Sequence, residues 1–119
     1  MRVVVVDDLP FMRQAIRNAL EPAGIECAGE GTNGVEALHL YESLRPDVMV
    51  LDITMPRMDG IAALARLMRR DPNARVVMCS ALDEEPLIVR AIQLGARDFV
   101  VKPFRRERVV SAVRKAGSR

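Results

Sequence analysis

The sequence predicts an α/β protein in which helices cover both faces of a five-stranded, doubly wound parallel sheet. Five short apolar runs are rich in valine and lack polar alternation, which is typical of strands buried on both faces. The segments between these runs carry apolar residues at helical spacing, so strands and helices alternate along the chain. Such alternation favours parallel strands joined by right-handed crossovers. The 119 residues are enough for one domain of this kind.

The strands are predicted where the apolar runs are continuous. They are placed at Val3–Val6, Cys27–Gly29, Val48–Leu51, Val76–Cys79 and Phe99–Val101. The second run is short and has no β-branched residue, so its identification depends mainly on its place in the alternation.

The first three helices are predicted from apolar residues three and four positions apart. Helix one covers Phe11–Leu20, and Gly24 stands where a left-handed C-cap belongs. Asn33 begins helix two, which Pro46 ends, and helix three ends before Pro72.

The last two helices have their own boundary residues. Helix four is expected from about Glu84 to Leu94, with Asp83 as its cap, Pro86 in its first turn and Gly95 after its end. Helix five is expected to begin near Arg105. The two helices flank the last predicted strand.

Composition argues against several classes of function. Aromatic residues make up 3% of the chain and tryptophan is absent, which disfavours base-stacking nucleic-acid modules and aromatic sugar pockets. No apolar run approaches the roughly 20 residues that span a bilayer, and the first run is too short for a signal peptide. Cys27 and Cys79 lack metal-site spacing and are interpreted as reduced thiols. We therefore expect a cytoplasmic protein with no direct nucleic-acid or membrane partner.

Charge is distributed unevenly along the chain. Residues 1–60 carry 10 acidic and 5 basic residues, whereas residues 61–119 carry 13 basic and 6 acidic residues. The acidic half is consistent with a cation site or with solvated helix faces. For the basic residues near the C-terminus, a solvated helix face is favoured over a partner contact or a nucleic-acid footprint. His39, the only histidine, is interpreted as structural.

Chemically reactive side chains follow four of the five predicted strands. Asp7 and Asp8 follow the first strand, Asp52 the third, Ser80 the fourth and Lys102 the fifth. The carboxyl ends of parallel strands form one edge of the sheet, where such folds bind ligands. Three carboxylates at that edge would repel one another without a cation, and oxygen ligands suit Mg²⁺. A divalent metal site is therefore predicted.

The same edge favours phosphoryl chemistry. Lys102 brings a fixed positive charge and Ser80 a hydroxyl donor, and both can stabilise phosphoryl oxygens. A carboxylate in such surroundings can attack phosphorus and form an acyl phosphate. Asp52 is the candidate nucleophile.

These residues and the motifs around them resemble the receiver domains of two-component response regulators. The motifs are Val3–Asp8, Leu51–Gly60, Cys79–Ala81 and Asp98–Phe104. The resemblance covers the whole chain, residues 1–119, and is nearest to the single-domain chemotaxis regulators. It implies a flavodoxin-like (βα)5 fold with strand order 2-1-3-4-5.

The resemblance also implies how phosphate and metal are bound. Asp52 would accept phosphate from a sensor histidine kinase. Asp8 would bind Mg²⁺ directly, Asp7 would bind it through water, and Asp52 and the Thr54 carbonyl would complete the protein ligands. The protein would be a phosphoprotein that uses Mg²⁺ to catalyse its own phosphorylation and dephosphorylation.

Four further roles follow from the same resemblance. Lys102 would pair with the phosphoryl group, and Ser80 would donate a hydrogen bond to it. Phe99 would act as a rotamer switch, and Pro103 would follow a cis peptide bond. The switch would control a surface made of helix four, strand five and helix five, which would bind a flagellar motor switch protein or another output partner. The protein itself is expected to be a monomer.

Two alternatives remain beside this hypothesis. A receiver domain taken from a multidomain regulator, such as a transcription factor or a methylesterase, would have the same sequence pattern. A Mg²⁺-dependent phosphohydrolase could also use Asp52 as its nucleophile. Such enzymes need a second acid two residues later, where this chain has Thr54. We therefore expect no catalysis beyond the protein's own phosphorylation and dephosphorylation.

Overall fold

A computed structural model of the chain, describing residues 1–81 and 84–118, contains one five-stranded parallel sheet. The strands are β1 (Arg2–Val6), β2 (Glu26–Gly31), β3 (Val48–Asp52), β4 (Val76–Ala81) and β5 (Asp98–Lys102). Their order across the sheet is β2-β1-β3-β4-β5. This order confirms the predicted doubly wound, flavodoxin-like fold.

Five helices connect and follow the strands. They are α1 (Pro10–Leu20), α2 (Gly34–Leu44), α3 (Gly60–Arg70), α4 (Glu85–Leu94) and α5 (Arg106–Gly117). Apolar residues of α1 and α5 pack in one core with one face of the sheet, and those of α2, α3 and α4 pack in a second core with the other face. Among the helices of the described ranges, none is both long and apolar enough to cross a membrane.

The two cores explain the valine-rich strands. In β1, Val3 and Val5 belong to the core with α1 and α5, whereas Val4 and Val6 belong to the core with α2, α3 and α4. All four side chains are at most 1% exposed. Alternate residues of a strand point to opposite faces, so covering both faces removes the usual polar alternation.

Several element ends differ from the predicted ones. Gly24 is left-handed with φ 82°, but it ends a short 3-10 helix at Glu21–Ala23 that extends α1. Strand β2 continues beyond its apolar run as far as Gly31, because backbone pairing with β1 extends to Val6. Helix α2 ends at a left-handed Arg45, since the following proline disfavours a right-handed conformation there.

The boundaries of α4 are mostly as predicted. Helix α4 begins at Glu85, carries Pro86 in its first turn, and is followed by Gly95 with φ 117°. The proposed cap at Asp83 lies outside the described residues. Helix α5 begins at Arg106, one residue after the predicted start.

The strand order gives a direct prediction for the two thiols. Cys27 on β2 and Cys79 on β4 are three strand positions apart, about 14 Å at ~4.8 Å per strand, well beyond the ~7 Å limit for a disulfide. Burial raises the pKa of Cys79 to about 12 and that of Cys27 to about 11, so both thiols should alkylate slowly. Peptide mapping of native, unreduced protein should find no Cys27–Cys79 bridge. An intramolecular bridge there would contradict the strand order.

Candidate functional site

Three carboxylates and one ammonium group meet at the carboxyl edge of the sheet. Ligand oxygens of Asp7, Asp8 and Asp52 lie within 4.8 Å of one another. Lys102 Nζ lies 2.9 Å from Asp7 Oδ2 and 3.1 Å from Asp52 Oδ1. The parallel topology therefore brings together residues that are up to 95 positions apart in sequence.

Burial makes this cluster electrostatically demanding. Asp52 is 5% exposed, and burial together with the negative charge of Asp7 raises its pKa to about 6, against the opposing effect of Lys102. Burial alone would lower the pKa of Lys102, but its hydrogen bond to Asp7 and the two nearby carboxylates hold that pKa above its usual value. Lys102 is therefore a permanent positive charge beside Asp52 at neutral pH.

The chemistry of the donor set fits a hard divalent cation. Three carboxylates face a single ammonium, which leaves an excess of negative charge, and all the candidate ligand atoms are oxygens. Asp7 and Asp52 are buried and Asp8 is half-buried, so an ion held among them would be partly shielded from water. The Thr54 side chain is exposed in the loop directly after β3.

The loop after β1 is fixed by hydrogen bonds to Asp7. The Leu9 backbone N–H donates to Asp7 Oδ1 over 3.0 Å, and Arg13 Nη1 donates to the Asp7 carbonyl over 2.7 Å. Arg13 also pairs with Glu30 on β2 through a contact of 2.9 Å. These contacts hold the acidic pair at the sheet edge before any ligand binds.

The loop after β3 depends on one glycine that the sequence analysis did not single out. The Gly60 N–H donates to the Ile53 carbonyl over 2.7 Å, and a Cβ at Gly60 would lie 2.0 Å from the Asp52 carbonyl oxygen. Glycine is therefore needed for α3 to begin this close to Asp52. The neighbouring Asp59 caps α3 by accepting from the Ala62 N–H over 2.8 Å. An Asp-Gly pair before a helical pattern was the available signal.

Ser80 lies within β4, one residue beyond the register partner of Asp52. Its side chain is fully buried, and within the described ranges its hydroxyl has no hydrogen-bond partner. A buried hydroxyl without a partner is costly. The group is thus available to donate to a ligand atom arriving at the sheet edge.

Glu84 is a second residue that the sequence analysis did not assign to the site. Its carboxylate accepts one hydrogen bond from Thr54 Oγ1 and another, of 2.9 Å, from the Ala81 N–H. The sequence gives Glu84 only as the approximate start of a helix. Its contact with Ala81 is local, but its contact with Thr54 joins segments 30 positions apart, so local patterns contained no signal for it.

Phe99 lies on β5, half-buried, and faces a groove beside α4. The groove has a volume of about 450 Å³, and its apolar lining includes Ile88, Ile92, Phe99 and Val101. Arg108 of α5 donates to the Phe99 carbonyl over 2.7 Å and pairs with Asp98 over 3.0 Å. Phe99 therefore lies where β5 meets both α4 and α5.

Two other residues singled out in the sequence have simple placements. The peptide bond between Lys102 and Pro103 is cis. His39 is exposed on α2 and lines a cavity between α2 and α3 with Glu42 and Arg66, apart from the residues of the acidic cluster. The carboxyl-edge cluster therefore does not include the histidine.

Comparison with known sequences links this geometry to a family. The response regulator receiver domain family matches residues 3–114. The chemotaxis protein CheY of Thermotoga maritima is 48% identical over 114 residues, which cover 96% of this chain and 95% of that protein. CheY of Listeria monocytogenes is 47% identical over 116 residues and 98% of each chain.

Solved structures give the same result. The CheX-CheY complex with BeF3 and Mg²⁺ from Borrelia burgdorferi matches with a TM-score of 0.91 and 37% identity, over 97% of this chain and 87% of that chain. The response regulator domain of Thermotoga maritima CheB matches with a TM-score of 0.91 and 33% identity, over 100% and 97% of the two chains. The predicted resemblance is thereby confirmed at the levels of sequence and fold.

Proposed function

The chain belongs to the response regulator receiver domain family, and we propose that its residues 1–119 form one phosphorylation-activated receiver of a two-component system. In this proposal Asp52 accepts phosphate from a sensor histidine kinase. The signal is then read as a change in partner binding. Because two similar proteins that this chain covers almost completely are chemotaxis proteins, control of a flagellar motor is the output we favour.

One observation carries the proposal: a buried carboxylate, Asp52, lies between an ammonium group and a pair of further carboxylates. Lys102 Nζ is 3.1 Å from Asp52 Oδ1, and Asp7 and Asp8 complete the cluster. A phosphoryl group on a carboxylate is stabilised by nearby positive charge. Lys102 supplies such a charge, and the neighbouring carboxylates can bind a metal ion that supplies another.

The transfer step uses the carboxylate of Asp52 as nucleophile. One of its oxygens bonds to phosphorus while the bond between phosphorus and the donor imidazole nitrogen breaks, and the imidazole keeps that electron pair. A pKa of about 6 leaves Asp52 largely ionised at neutral pH and therefore able to attack. Lys102 can offset the charge on the phosphoryl oxygens, since its ammonium already lies within hydrogen-bond distance of the acceptor.

We further propose that Asp7, Asp8, Asp52 and the Thr54 carbonyl hold Mg²⁺. When bound, the ion supplies positive charge that stabilises phosphoryl oxygens. Asp7 also accepts hydrogen bonds from Leu9 and Lys102, so its carboxylate orients the site as well as contributing charge. Asp8 is the half-buried member of the set and therefore the clearest one to test.

The buried Ser80 hydroxyl is the group we propose to sense the phosphate. Phosphorylation would give this hydroxyl the acceptor that it lacks among the described residues. Movement of Ser80 would alter the packing of Phe99, which lines the groove between α4 and β5. The proposed output surface is therefore formed by α4, β5 and α5, and a motor switch protein or another partner would bind it.

A second candidate function keeps the same chemistry in a different context. The likeness to the response regulator domain of CheB supports a receiver that belongs to a larger regulator. The complete gene would distinguish the two, because a regulator of that kind encodes an effector domain in the same chain. The phosphohydrolase alternative has less support, since the position that needs a second acid holds Thr54, whose hydroxyl donates to Glu84.

The direct test is incubation with acetyl phosphate and Mg²⁺ followed by intact mass measurement. We expect the addition of one phosphate in the presence of Mg²⁺ and no addition when EDTA replaces Mg²⁺ during the incubation. A protein that remains unmodified under these conditions while folded would contradict the proposal. Repeated turnover of an external phosphoester would instead favour the hydrolase.

The metal site predicts a specific effect of Asp8→Asn. Mg²⁺ binding, measured by calorimetry, should weaken by about tenfold or more, because one of three carboxylates is lost. In EDTA the variant should melt at or slightly above the wild-type temperature, because one repulsive charge has been removed. Asp59→Asn, which retains a capping side chain for α3, is the matched control and should bind Mg²⁺ normally. Unchanged Mg²⁺ affinity in Asp8→Asn would remove Asp8 from the metal site.

A further inference from the structure

Glu84 connects the two chain segments that flank the proposed phosphorylation site. Its Oε2 accepts a hydrogen bond from Thr54 Oγ1, and its Oε1 accepts one of 2.9 Å from the Ala81 N–H. Thr54 follows the acceptor Asp52 by two residues, and Ala81 directly follows Ser80. A single carboxylate therefore ties the loop after β3 to the end of β4.

The hydrogen bond to Ala81 restrains Ser80. The Ser80 hydroxyl is fully buried and lacks a partner among the described residues, so the conformation of β4 seen here does not use it. Because Ser80 and Ala81 share a peptide bond, a shift of Ser80 toward a phosphoryl group on Asp52 must carry the Ala81 N–H with it. Such a shift stretches or breaks the contact with Glu84, or pulls Glu84 away from Thr54.

Glu84 also lies at the start of the proposed output helix. It occupies the N-cap position of α4, which begins at Glu85. The same residue thus bonds to the segment after the phosphate acceptor and to the segment after the sensing hydroxyl, and it directly precedes the first turn of α4. A change in the hydrogen bonds of Glu84 would therefore alter the loop after β3, the end of β4 and the start of α4.

From these contacts we propose that Glu84 is a positioning residue that holds the end of β4 in its resting conformation and so opposes the response to phosphorylation. This inference rests on the proposed function. The population of each conformation depends on its free energy. A contact made only in the resting state lowers the free energy of that state and so reduces the population of the activated state. Removing the contact should make activation easier without adding any interaction with the phosphoryl group.

Beryllofluoride with Mg²⁺, which mimics a phosphoryl group, provides the test. Binding is followed by the backbone amide signals of α4 in NMR spectra of isotope-labelled protein. Thr54→Val removes one hydrogen bond and should raise the apparent affinity about three- to tenfold, the range expected for one such bond. Glu84→Ala removes both hydrogen bonds and should raise the apparent affinity at least as much. Glu84→Gln retains only one acceptor oxygen and should give a smaller gain.

Two further measurements separate positioning from a simple structural effect. The double variant Glu84→Ala with Thr54→Val should gain less than the product of the single gains, because both changes break the same link. In the absence of beryllofluoride, the α4 amide signals of Glu84→Ala should lie part of the way toward their bound positions. Glu85→Gln, which removes a neighbouring charge at the same helix end, is the matched control and should behave as wild type.

The outcomes distinguish this inference from the proposed function. If wild-type protein neither binds beryllofluoride nor takes phosphate from acetyl phosphate, the proposed function fails. If wild type does both but Glu84→Ala and Thr54→Val bind beryllofluoride no more tightly than wild type, the role of Glu84 is wrong. Thermal unfolding of each variant checks that it is folded, and the two single variants test the link from opposite ends.

Discussion

Asp52→Asn is expected to abolish covalent phosphorylation by acetyl phosphate and Mg²⁺. The amide has nearly the same size as the carboxylate but cannot serve as the nucleophile that forms an acyl phosphate. Asp52 lies beside both Lys102 and the Asp7–Asp8 pair, so the charges that stabilise a phosphoryl group are already next to it. Intact mass measurement should show one phosphate on wild type and none on the variant.

Stability measurements in EDTA show whether that loss reflects chemistry or misfolding. Burial and the charge of Asp7 raise the pKa of Asp52 to about 6, above its value of 3.8 in an unfolded chain. The folded protein therefore binds a proton at Asp52 more tightly than the unfolded chain does. The ionised carboxylate destabilises the folded state at pH 7, and the lost stability is regained as the pH falls from about 6 toward 3.8. Asp52→Asn should accordingly be more stable than wild type at pH 7, by up to about 3 kcal/mol.

Asp59→Asn is the control for the labelling experiment. Asp59 lies in the loop that follows Asp52 but caps α3, a role that asparagine can also fill. This variant should be phosphorylated like wild type. Undiminished labelling of Asp52→Asn, at any residue, would show that Asp52 is not the acceptor.

The site residues could be predicted because their positions depend on chain direction and strand order alone. Asp7, Asp52 and Lys102 each stand at the end of a valine-rich run, and parallel strands necessarily bring such ends to one edge. Runs buried on both faces are also easily recognised in a sequence. Strands that are apolar on both sides do not themselves indicate which helices share a face; the grouping of α2, α3 and α4 opposite α1 follows from the strand order and the right-handed crossovers.

Features that depend on contacts between distant loops were not predictable. The approach of Gly60 to the Asp52 carbonyl depends on where α3 begins relative to β3, and a sequence pattern places that start only approximately. The contact of Glu84 with Thr54 requires the ends of β3 and β4 to be neighbours with a particular offset. Gly24 was correctly read as left-handed, but its helix end was displaced by an intervening 3-10 turn.

Phe99→Ala is expected to separate phosphorylation from its effect on the output surface. Phe99 is half-buried against the core on the α4 side, and its register partner on β4 is Met78, two residues before Ser80. If Ser80 moves toward a phosphoryl group, space opens beside the end of β4 that the phenyl ring can occupy. The ring has no hydroxyl to leave without a partner, so its inward position costs little desolvation. Alanine is too small to follow that movement.

The variant should therefore take up phosphate at the wild-type level but lose most of the phosphorylation-dependent gain in partner affinity. Titration of a motor switch peptide against phosphorylated and unphosphorylated protein measures that gain. Ser80→Ala should weaken the same coupling with labelling largely retained, because it removes the hydroxyl that we propose to sense the phosphate and leaves Asp52 in place. Phe104→Ala is the matched aromatic control, since Phe104 packs against the opposite core with α1 and α5.

Because Phe99 lines the groove itself, its loss also removes a direct contact with a partner bound there. Loss of a direct contact weakens partner binding by both forms by the same factor, whereas loss of switching reduces the ratio of the phosphorylated to the unphosphorylated affinity. A ratio equal to that of wild type would therefore refute the role of Phe99 in coupling.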